Sequence, residues 1–436
     1  MLQSKRFPLV IILSAYLLLG VLFAVYTPDW QAPDEPAHYN YVRQLAAGHL
    51  PVMELGDYDE AYKNEAIGSG FAPEYDVSLI TYEDWQPPLY YLLLTPVFWL
   101  TGGSLLALRL VSVLLGAGLV ALAYAVAGRL FPERREVAVG TAVFAAFLPQ
   151  HLSILASVNN DALAELLIAG ILFLLVGIGD WRLEIGKGRA LLLGVLLGLG
   201  FLTKGTVYSL TAVIAAALLW RYWGKWRDLV QAGLWVFVPA FLLGTLWWGR
   251  NLALYGGLDV LGKAAHDAVV VGQPRTADLV AEVGLASAMW QLVQTTFHSF
   301  WGQFGWMALP MLNPGWVYPL LWAFTAVAIS GLLLHFFQNR RQSPISNLQS
   351  LILMLLFLLT LGVHVVYNIT FIQHQGRYLF PALIPIGIGV AVGVGGWIRP
   401  LQTRWPILLQ LWPWGLALAL VGLDVWALFR VIVPNL

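Results

Sequence analysis

The sequence predicts an all-α, polytopic integral membrane protein built as a helical bundle, and three observations predict it. The 436-residue chain is 59% hydrophobic and only 11% charged, with a mean hydropathy of +0.72, which lies outside the range of soluble domains. Apolar runs of about 20 residues recur along it, each long enough to cross roughly 30 Å of hydrocarbon as a helix. None alternates like a barrel strand. Trp and Tyr cluster at the ends of these runs, where amphipathic rings settle at headgroup level.

Composition also narrows the classes of function. The chain has no Cys, which excludes thiol catalysis, thiolate metal sites and disulfides. Basic and acidic residues both number 24, so the net charge is zero and nothing indicates nucleic acid as a partner. No soluble domain and no internal repeat interrupts the apolar runs. Residues 1–436 are therefore interpreted as a single transmembrane domain.

The first element is the apolar run at residues 8–26, which follows Lys5 and Arg6. Its core is long and no small-residue cleavage site follows, so it predicts a retained signal anchor instead of a cleaved signal peptide. Because Lys and Arg in short loops stay on the cytoplasmic side, this run delivers residues 27–87 to the outer face. That stretch is too long for a chance linker, so it is predicted to be an ordered first extracytoplasmic loop with juxtamembrane helices.

The later elements follow from the same rule for basic residues. Five basic segments are predicted to lie inside, at 132–136, 180–189, 221–227, 335–342 and 397–405. Residues 251–316 then form a second extracytoplasmic loop, and the helices total about ten to twelve. Residues 88–131 must make one net crossing, although the run PPLYYLLLTPVFWLTGG is too short for a comfortable span. A re-entrant or shallow segment there would leave Arg109 near the outer face.

Six charged residues fall on the outer side in this threading: Asp34, Glu35, Asp161, Lys204, Arg250 and Arg377. The first two stand in PDEPAHYNYVRQL, where Pro36 suits the first turn of a helix and either acid can cap its exposed N–H groups. Tyr39 lies on the face of this short amphipathic helix, which is predicted to follow the membrane interface. Either both acids are caps, or one is a base or helps to hold a divalent cation.

Other outer acids also have two interpretations. Asp161 either caps a helix after Asn160 or belongs to a site. Glu165 lies one turn deeper on the same helical face, where an ionisable group is costly unless it is paired or wetted. We therefore expect Glu165 to face a cavity. Glu83 and Asp84 either form a plain interfacial turn or contribute to the site.

Three cations are candidates for binding a phosphate group. Lys204 ends the run LLLGVLLGLGFLTKG and either snorkels towards the headgroups or contacts the ligand. Arg250 in WWGRNLALYGG and Arg377 in QHQGRYLFPALIP place guanidinium groups at the outer mouth, against the usual charge bias. A lipid phosphate would explain them, because the planar fork of Arg matches phosphate oxygens. Simple anchoring to lipid headgroups is the alternative.

Five stretches, taken in order, resemble the GT-C superfamily of membrane glycosyltransferases, especially the protein O-mannosyltransferase and aminoarabinose transferase type. They are PDEPAHYNYVRQL, WQPPLYYLLLTPVFWL, LRLVSVLLGAGLVALAYAVAGRLF, LPQHLSILASVNNDALAE and GLGFLTKGT, and WWGRNLALYGG and QGRYLFPALIP extend the resemblance. The resemblance implies an enzyme that moves a sugar from a polyprenyl-phosphate carrier to an acceptor hydroxyl at the extracytoplasmic face, with inversion at the anomeric carbon.

The resemblance also implies roles for individual residues. Asp34 corresponds to the base of the first outer loop, with Glu35 beside it, and Asp161 corresponds to a second acid at the mouth. Lys204 corresponds to a ligand of the carrier phosphate.

Further substrate contacts complete the predicted site. Arg250 and Arg377 share the binding of the phosphate. Gln86 stands where relatives often have Lys or His, so a charged contact with phosphate or metal is in doubt at that position. The other predicted substrate-binding residues are Tyr39, Tyr90 and Glu165.

The predicted partners are a membrane lipid carrier and an acceptor that is a protein, a glycolipid or a polysaccharide. The predicted location is a prokaryotic plasma membrane. Besides the lipid-linked donor, a divalent cation at Asp34 and Glu35 is the one cofactor expected. Two other functions stay open: a transporter or flippase for lipid-linked substrates, which predicts charges near the midplane and repeats, and a non-catalytic lipid-binding subunit of envelope assembly.

Overall fold

The computed structural model describes residues 7–177, 186–338 and 347–436. The predicted basic end at Lys5 and Arg6, most of the loop at 180–189 and part of the loop at 335–342 lie outside the described residues. The all-α fold class is confirmed, because the ordered elements of the described residues are helices apart from one hairpin. That hairpin pairs β1 (Gln303–Phe304) antiparallel with β2 (Leu309–Pro310).

The described residues form a series of α-helices. In chain order they are α1 (Phe7–Tyr26), α2 (Glu35–Ala46), α3 (Glu60–Gly68), α4 (Leu89–Thr101), α5 (Leu105–Leu130), α6 (Arg135–Ala146), α7 (Pro149–Leu155), α8 (Asp161–Val176), α9 (Lys187–Phe201), α10 (Ser209–Arg221), α11 (Trp226–Tyr255), α12 (Lys263–Val269), α13 (Thr276–Val283), α14 (Leu285–Trp301), α15 (Val317–Gln338), α16 (Asn347–Thr370), α17 (Leu383–Ile398), α18 (Ile407–Trp426) and α19 (Val433–Asn435). Tighter 3₁₀ turns occur at Val77–Leu79, Gly205–Tyr208, Gly376–Ala382 and Arg399–Leu401, and a π-helical turn occurs at Ala427–Ile432.

Seven helical segments of the described chain are long and apolar enough to cross a membrane, and an eighth results if α6 and α7, which meet at a 62° bend, count as one span. The sequence predicted more crossings because it also counted the apolar runs of α8, α9 and α10. These helices have 16, 15 and 13 residues, fewer than the roughly 20 that a full crossing requires. The first residue of α8 is Asp161, and Lys204 follows the end of α9.

The segment at 88–131 divides into the short helix α4 and the long helix α5. Two hydrogen bonds join the C-terminal end of α4 to α2. Tyr39 donates to the Gly103 carbonyl at 2.8 Å, and Trp99 donates to the Ala46 carbonyl at 3.0 Å. α4 therefore runs along α2 and does not lead away from it, and α5 has the length for the crossing. This arrangement agrees with the single net crossing predicted for the segment.

The two polar stretches predicted as loops are structured and contact each other. Residues 27–87 contain α2 and α3, and residues 251–316 contain α12, α13, α14 and the hairpin. The Met53 amide donates to the Tyr255 hydroxyl at 3.0 Å, and the Trp306 indole donates to the Trp30 carbonyl at 3.0 Å. Both stretches thus cover the same end of the helical bundle, which we call the site end.

Small residues allow close helix packing. α15 and α17 approach until a Cβ built on Gly393 would lie 2.0 Å from the Ala328 carbonyl oxygen, and one on Gly331 would lie 2.1 Å from the Gly393 carbonyl oxygen. Such backbone contacts are characteristic of helix interfaces in membranes, where van der Waals packing replaces the hydrophobic driving force.

A buried ion pair fixes the start of α2 against α1 and α5. Arg109 donates from Nε and from a terminal nitrogen to Glu35 at 2.8 and 2.6 Å, and the two side chains are 2% and 0% exposed. Arg109 also donates to the carbonyls of Ala24 and Thr27 at the end of α1, which lack helical partners. Because Glu35 also accepts from the Val158 amide at 3.0 Å, each charge is fully hydrogen-bonded.

Replacing Arg109 by Met should lower the free energy of unfolding by about 3–5 kcal/mol, because it leaves the Glu35 carboxylate buried without a counter-charge. Chemical unfolding of the purified chain in detergent would measure the change. The matched control is Lys263→Ala, which breaks a pair whose side chains are 48% and 41% exposed and should cost about 0–1 kcal/mol. Equal losses in the two variants would contradict the anchoring role of Arg109.

Candidate active site

A cavity of about 610 Å³ opens at the site end, between the two polar stretches and the bundle. Its walls come from eight parts of the chain: the start of α2, residues 58–63, the segment before α4, the turn after α9, residues 263–274, Trp306, one face of α16, and the segment at 373–381. Four of the residues predicted for the site line it, namely Asp34, Gln86, Lys204 and Arg377. Distant parts of the sequence therefore meet in one cavity.

Asp34 immediately precedes α2, and its backbone is in the left-handed region with φ 67°. This conformation is uncommon for a residue other than Gly and is often found at functional sites. The side chain makes no capping bond to α2. Its two carboxylate oxygens instead accept from the Tyr82 hydroxyl at 2.8 Å and from Arg377 at 2.5 Å. The carboxylate of Asp34 is thus directed away from its own helix.

The electrostatic setting of Asp34 favours the ionised form. Burial alone would raise the pKa of Asp34, but Arg377 and the Tyr82 hydroxyl outweigh burial and hold the pKa well below its usual range. By contrast, burial lowers the pKa of the neighbouring His38 to about 3, so this imidazole is neutral. His38 shares a hydrogen bond of 2.8 Å with the Tyr91 hydroxyl.

Lys204 and Asp161 form the second ion pair of the site. The Lys204 ammonium nitrogen lies 2.7 Å from an Asp161 oxygen, and the two side chains are 17% and 14% exposed. Asp161 opens α8, and Lys204 precedes the 3₁₀ turn Gly205–Tyr208. Of the two interpretations of Asp161, the helix cap does not apply, because the N-cap residue of α8 is Asn160. Asp161 is thereby free to hold Lys204 at the cavity wall.

A polar chain runs from Gln86 towards α8. The Gln86 amide donates to Glu83 at 2.8 Å, and its oxygen accepts from Asn160 at 3.2 Å. The Tyr41 hydroxyl donates to the Gln86 carbonyl at 2.9 Å. Gln86 therefore connects the segment before α4 with the residue that precedes Asp161.

The remaining predicted residues do not line the cavity; they are Glu35, Tyr39, Tyr90, Asp161, Glu165 and Arg250. Glu165 was expected to face a cavity. It is instead buried against His151, whose Nε2 lies 2.8 Å from a Glu165 oxygen. Tyr90 is fully buried, and its hydroxyl accepts from the Asn159 amide at 3.0 Å.

Arg250 lies outside the cavity and holds the first polar stretch. It donates to the Pro51 carbonyl and, at 3.3 Å, to the Tyr255 hydroxyl, and its guanidinium lies over the Trp247 ring at 4.6 Å. Its carbonyl and aromatic partners make Arg250 a brace between α11 and residues 50–58.

Several cavity residues were not singled out by the sequence as site residues. Tyr82 binds Asp34, and Glu83 lies next to it in the stretch TYEDWQPP. Burial and the neighbouring Asp34 raise the pKa of Glu83 to about 8. Burial likewise raises the pKa of Asp84 to about 8, although that carboxyl accepts from Gln44. The sequence signal for these residues was the acidic pair Glu83 and Asp84, but an interfacial turn explained that pair equally well.

One wall of the cavity lies on α16 and is largely apolar, with Thr360 and His364 as its polar members. Leu359, Val363 and Tyr367 recur at a spacing of four residues, so they share one helical face, and all three line the cavity. Tyr378 and Pro381 continue this wall beside Arg377. An aliphatic chain would fit this wall while its charged head reached the cations.

The carboxylates of Asp34 and Glu35 do not converge. Asp34 binds Tyr82 and Arg377, whereas Glu35 binds Arg109 and the Val158 amide. Within the part of the chain that the structure describes, no group of three or more His, Cys, Asp or Glu residues is arranged to hold a metal ion. The two adjacent acids therefore do not fit the divalent-cation site expected of them.

Comparisons with known proteins bear on both the family and the fold. The profile of the family described as "Predicted membrane protein (DUF2142)" matches residues 61–385. No curated protein sequence matches the chain.

Solved structures match along nearly the whole chain. The structure of ArnT from Cupriavidus metallidurans bound to undecaprenyl phosphate is 14% identical with a TM-score of 0.52, and the match covers 98% of this chain and 73% of that one. The Archaeoglobus fulgidus oligosaccharyltransferase, tethered to an acceptor peptide containing the NVT sequon, is 13% identical with a TM-score of 0.55. That match covers 99% of this chain but only 55% of the archaeal protein. The predicted GT-C fold is thereby confirmed.

Replacing Arg250 by Ala should increase amide hydrogen exchange in residues 50–58 by about 10- to 100-fold, because charged hydrogen bonds contribute roughly 1.5–3 kcal/mol to holding such a segment closed. Hydrogen–deuterium exchange with mass spectrometry would measure this change. The control Arg430→Ala alters an exposed arginine and should leave the same peptides unchanged. Unaltered exchange in Arg250→Ala would rule out the brace.

Proposed function

From the premise that this chain belongs to the DUF2142 family of membrane proteins, we propose that it is a glycosyltransferase of the GT-C type. It moves a sugar from a polyprenyl-phosphate carrier to an acceptor hydroxyl at the extracytoplasmic face, with inversion at the anomeric carbon. The observation that carries the proposal is the convergence of Asp34, Lys204 and Arg377 on one cavity with an apolar wall. This substrate requires a carboxylate near the sugar, cations for the phosphate and an apolar surface for the polyprenyl chain.

Arg377 and Lys204 would bind the carrier phosphate. Both are held at the cavity wall by carboxylates 2.5 and 2.7 Å away, so their positions are set before the ligand arrives. Preorganised cations stabilise the negative charge that develops on a departing phosphate, often by several kcal/mol. The polyprenyl chain would lie along Leu359, Val363 and Tyr367.

Asp34 is the proposed base. The acceptor oxygen attacks the anomeric carbon while the bond from that carbon to the phosphate oxygen breaks and its electron pair leaves with the phosphate. The proton of the acceptor hydroxyl passes to Asp34. Asp34 accepts a hydrogen bond from Arg377, so a phosphate that takes Arg377 as its partner would release the carboxylate for this task.

The structural neighbours support a lipid carrier and a separate acceptor. The ArnT structure contains undecaprenyl phosphate, and the archaeal oligosaccharyltransferase carries an acceptor peptide. For this chain we propose the same class of carrier, an acceptor that is a protein, glycolipid or polysaccharide, and a prokaryotic plasma membrane as the location. The polar stretches at 27–87 and 251–316, proposed as extracytoplasmic loops, would contact the acceptor.

Replacing Asp34 by Asn should reduce turnover by about 10²–10⁴-fold, because the amide cannot take the proton. Carrier binding should persist, since Arg377 loses its competing carboxylate. Mass spectrometry of polyprenyl phosphate released from a panel of polyprenyl-phosphate sugars would measure turnover. The control Asp29→Asn changes an acid of the same stretch that is 72% exposed and should keep wild-type activity. An unchanged rate in Asp34→Asn would rule out Asp34 as the base, whereas no release of polyprenyl phosphate by the wild-type chain would favour a flippase or a binding subunit.

Replacing Lys204 or Arg377 by Ala should weaken binding of undecaprenyl phosphate by about 10- to 100-fold, because each loses a charge-assisted bond of roughly 1.5–3 kcal/mol. Fluorescence or calorimetric titration of the purified chain would measure the affinity. Lys263→Ala is the matched control, because Lys263 also lines the cavity but is 48% exposed at its mouth. If both variants bound the lipid as tightly as this control does, the phosphate-binding assignment would be wrong.

A further inference from the structure

One carboxyl group that lines the cavity has no ion-pair partner among the described residues and has no role in the proposed function. Four Lys and Arg residues line it, and each forms an ion pair: Lys63 with Glu60, Lys204 with Asp161, Lys263 with Asp267, and Arg377 with Asp34. The cavity-lining carboxyl groups are Asp34, Glu60 and Glu83. Among the described residues, Glu83 alone of these three has no ion-pair partner.

The surroundings of Glu83 offer it one neutral donor. Its Oε2 accepts from the Gln86 amide at 2.8 Å, and Gln86 is fixed in turn by Asn160. The side chain is half-buried in the cavity wall. Lys204 and Arg377 are both near enough to act on its charge, and so is Asp34. Glu83 therefore lies among the groups that would hold a carrier phosphate.

An ionised carboxylate at this position, which unlike Asp34 has no cation paired with it, would oppose the binding of a phosphate. Two anions that share a poorly hydrated cavity repel each other strongly, so one of them takes up a proton. A protonated carboxyl, by contrast, has an O–H that donates to an anionic oxygen, and such charge-assisted bonds are short and strong.

We propose that Glu83 is a further donor-binding residue, which in its protonated form donates a hydrogen bond to the carrier phosphate held by Lys204 and Arg377. This inference rests on the proposed function and deepens it. It adds a neutral ligand to the two cations and makes binding of the lipid phosphate depend on a proton.

The protonation of Glu83 is consistent with its environment. Burial first, and then the charge of Asp34, raise its pKa to about 8 against the opposing effect of Lys204. The charged and titratable groups that face it are Asp34, Tyr82, Asp84, Tyr91, Lys204, Tyr367, Arg377 and Tyr378. Below that pKa the proton is present in the free and the bound protein. Above it, the free protein loses the proton and must regain it on binding, so affinity falls by up to about tenfold per pH unit.

The test measures the affinity of the purified full-length chain for undecaprenyl phosphate between about pH 7.5 and pH 9.5, where the phosphate monoester is already fully ionised because its second pKa is about 6. Wild type should lose about tenfold or more in affinity across this range. Glu83→Gln keeps a hydrogen-bond donor that does not titrate. It should bind within about twofold of wild type at the lower pH and vary little across the range. The matched control Glu60→Gln, an acid of the same cavity paired with Lys63, should retain the wild-type pH response.

The possible outcomes distinguish failure of the role of Glu83 from failure of the proposed function. A wild-type affinity that does not vary with pH overturns the role of Glu83 even if Glu83→Gln fails to fold. A Glu83→Gln variant that keeps the wild-type pH response overturns it as well. A wild-type chain that binds no polyprenyl phosphate at any pH refutes the proposed function itself.

Discussion

The ion pair between Glu35 and Arg109 is the interaction on which the site depends. It joins residues 74 positions apart in the sequence and ties the start of α2 to α1 and α5. Because Glu35 is held inside the bundle, the chain just before it must turn sharply, and Asp34 takes the left-handed conformation that directs its carboxylate into the cavity. Two adjacent acids thereby acquire different positions: Glu35 is buried in an ion pair, and Asp34 lines the cavity.

Local neutralisation also applies to three further pairs of the described residues. An ionisable group within an apolar bundle is costly unless a partner or water compensates it. Lys204 with Asp161, Arg377 with Asp34 and Glu165 with His151 each meet this requirement within 2.8 Å. Glu83 satisfies the same requirement without an ion-pair partner, because it accepts a hydrogen bond from the neutral Gln86 amide and its raised pKa favours the neutral form. Lys204 and Arg377 are consequently each held at the cavity wall by a carboxylate.

The sequence predicted the fold class and the convergence of the main charges, because the distribution of Lys and Arg orients each apolar run independently of packing. Asp34, Lys204 and Arg377 were therefore assigned to one face without knowledge of their contacts. The partner of each side chain could not be predicted. The pairs Glu35–Arg109 and Glu165–His151, and the contact of Arg250 with Pro51, depend on how helices far apart in sequence pack. The short helices α8 to α10 were also indistinguishable from full spans by composition alone.

Under the proposed function, the pairing of Lys204 and Arg377 with carboxylates would also affect which anions the cavity binds. Inorganic phosphate arriving from water would have to separate two close ion pairs while offering only its charge in return. A phosphate that is attached to a long isoprenoid chain brings apolar surface that the α16 wall can shield from solvent, at roughly 25 cal/mol for each Å². Under the proposed function, internal charge compensation would therefore discriminate against soluble anions, and the hydrocarbon tail would determine which phosphate binds.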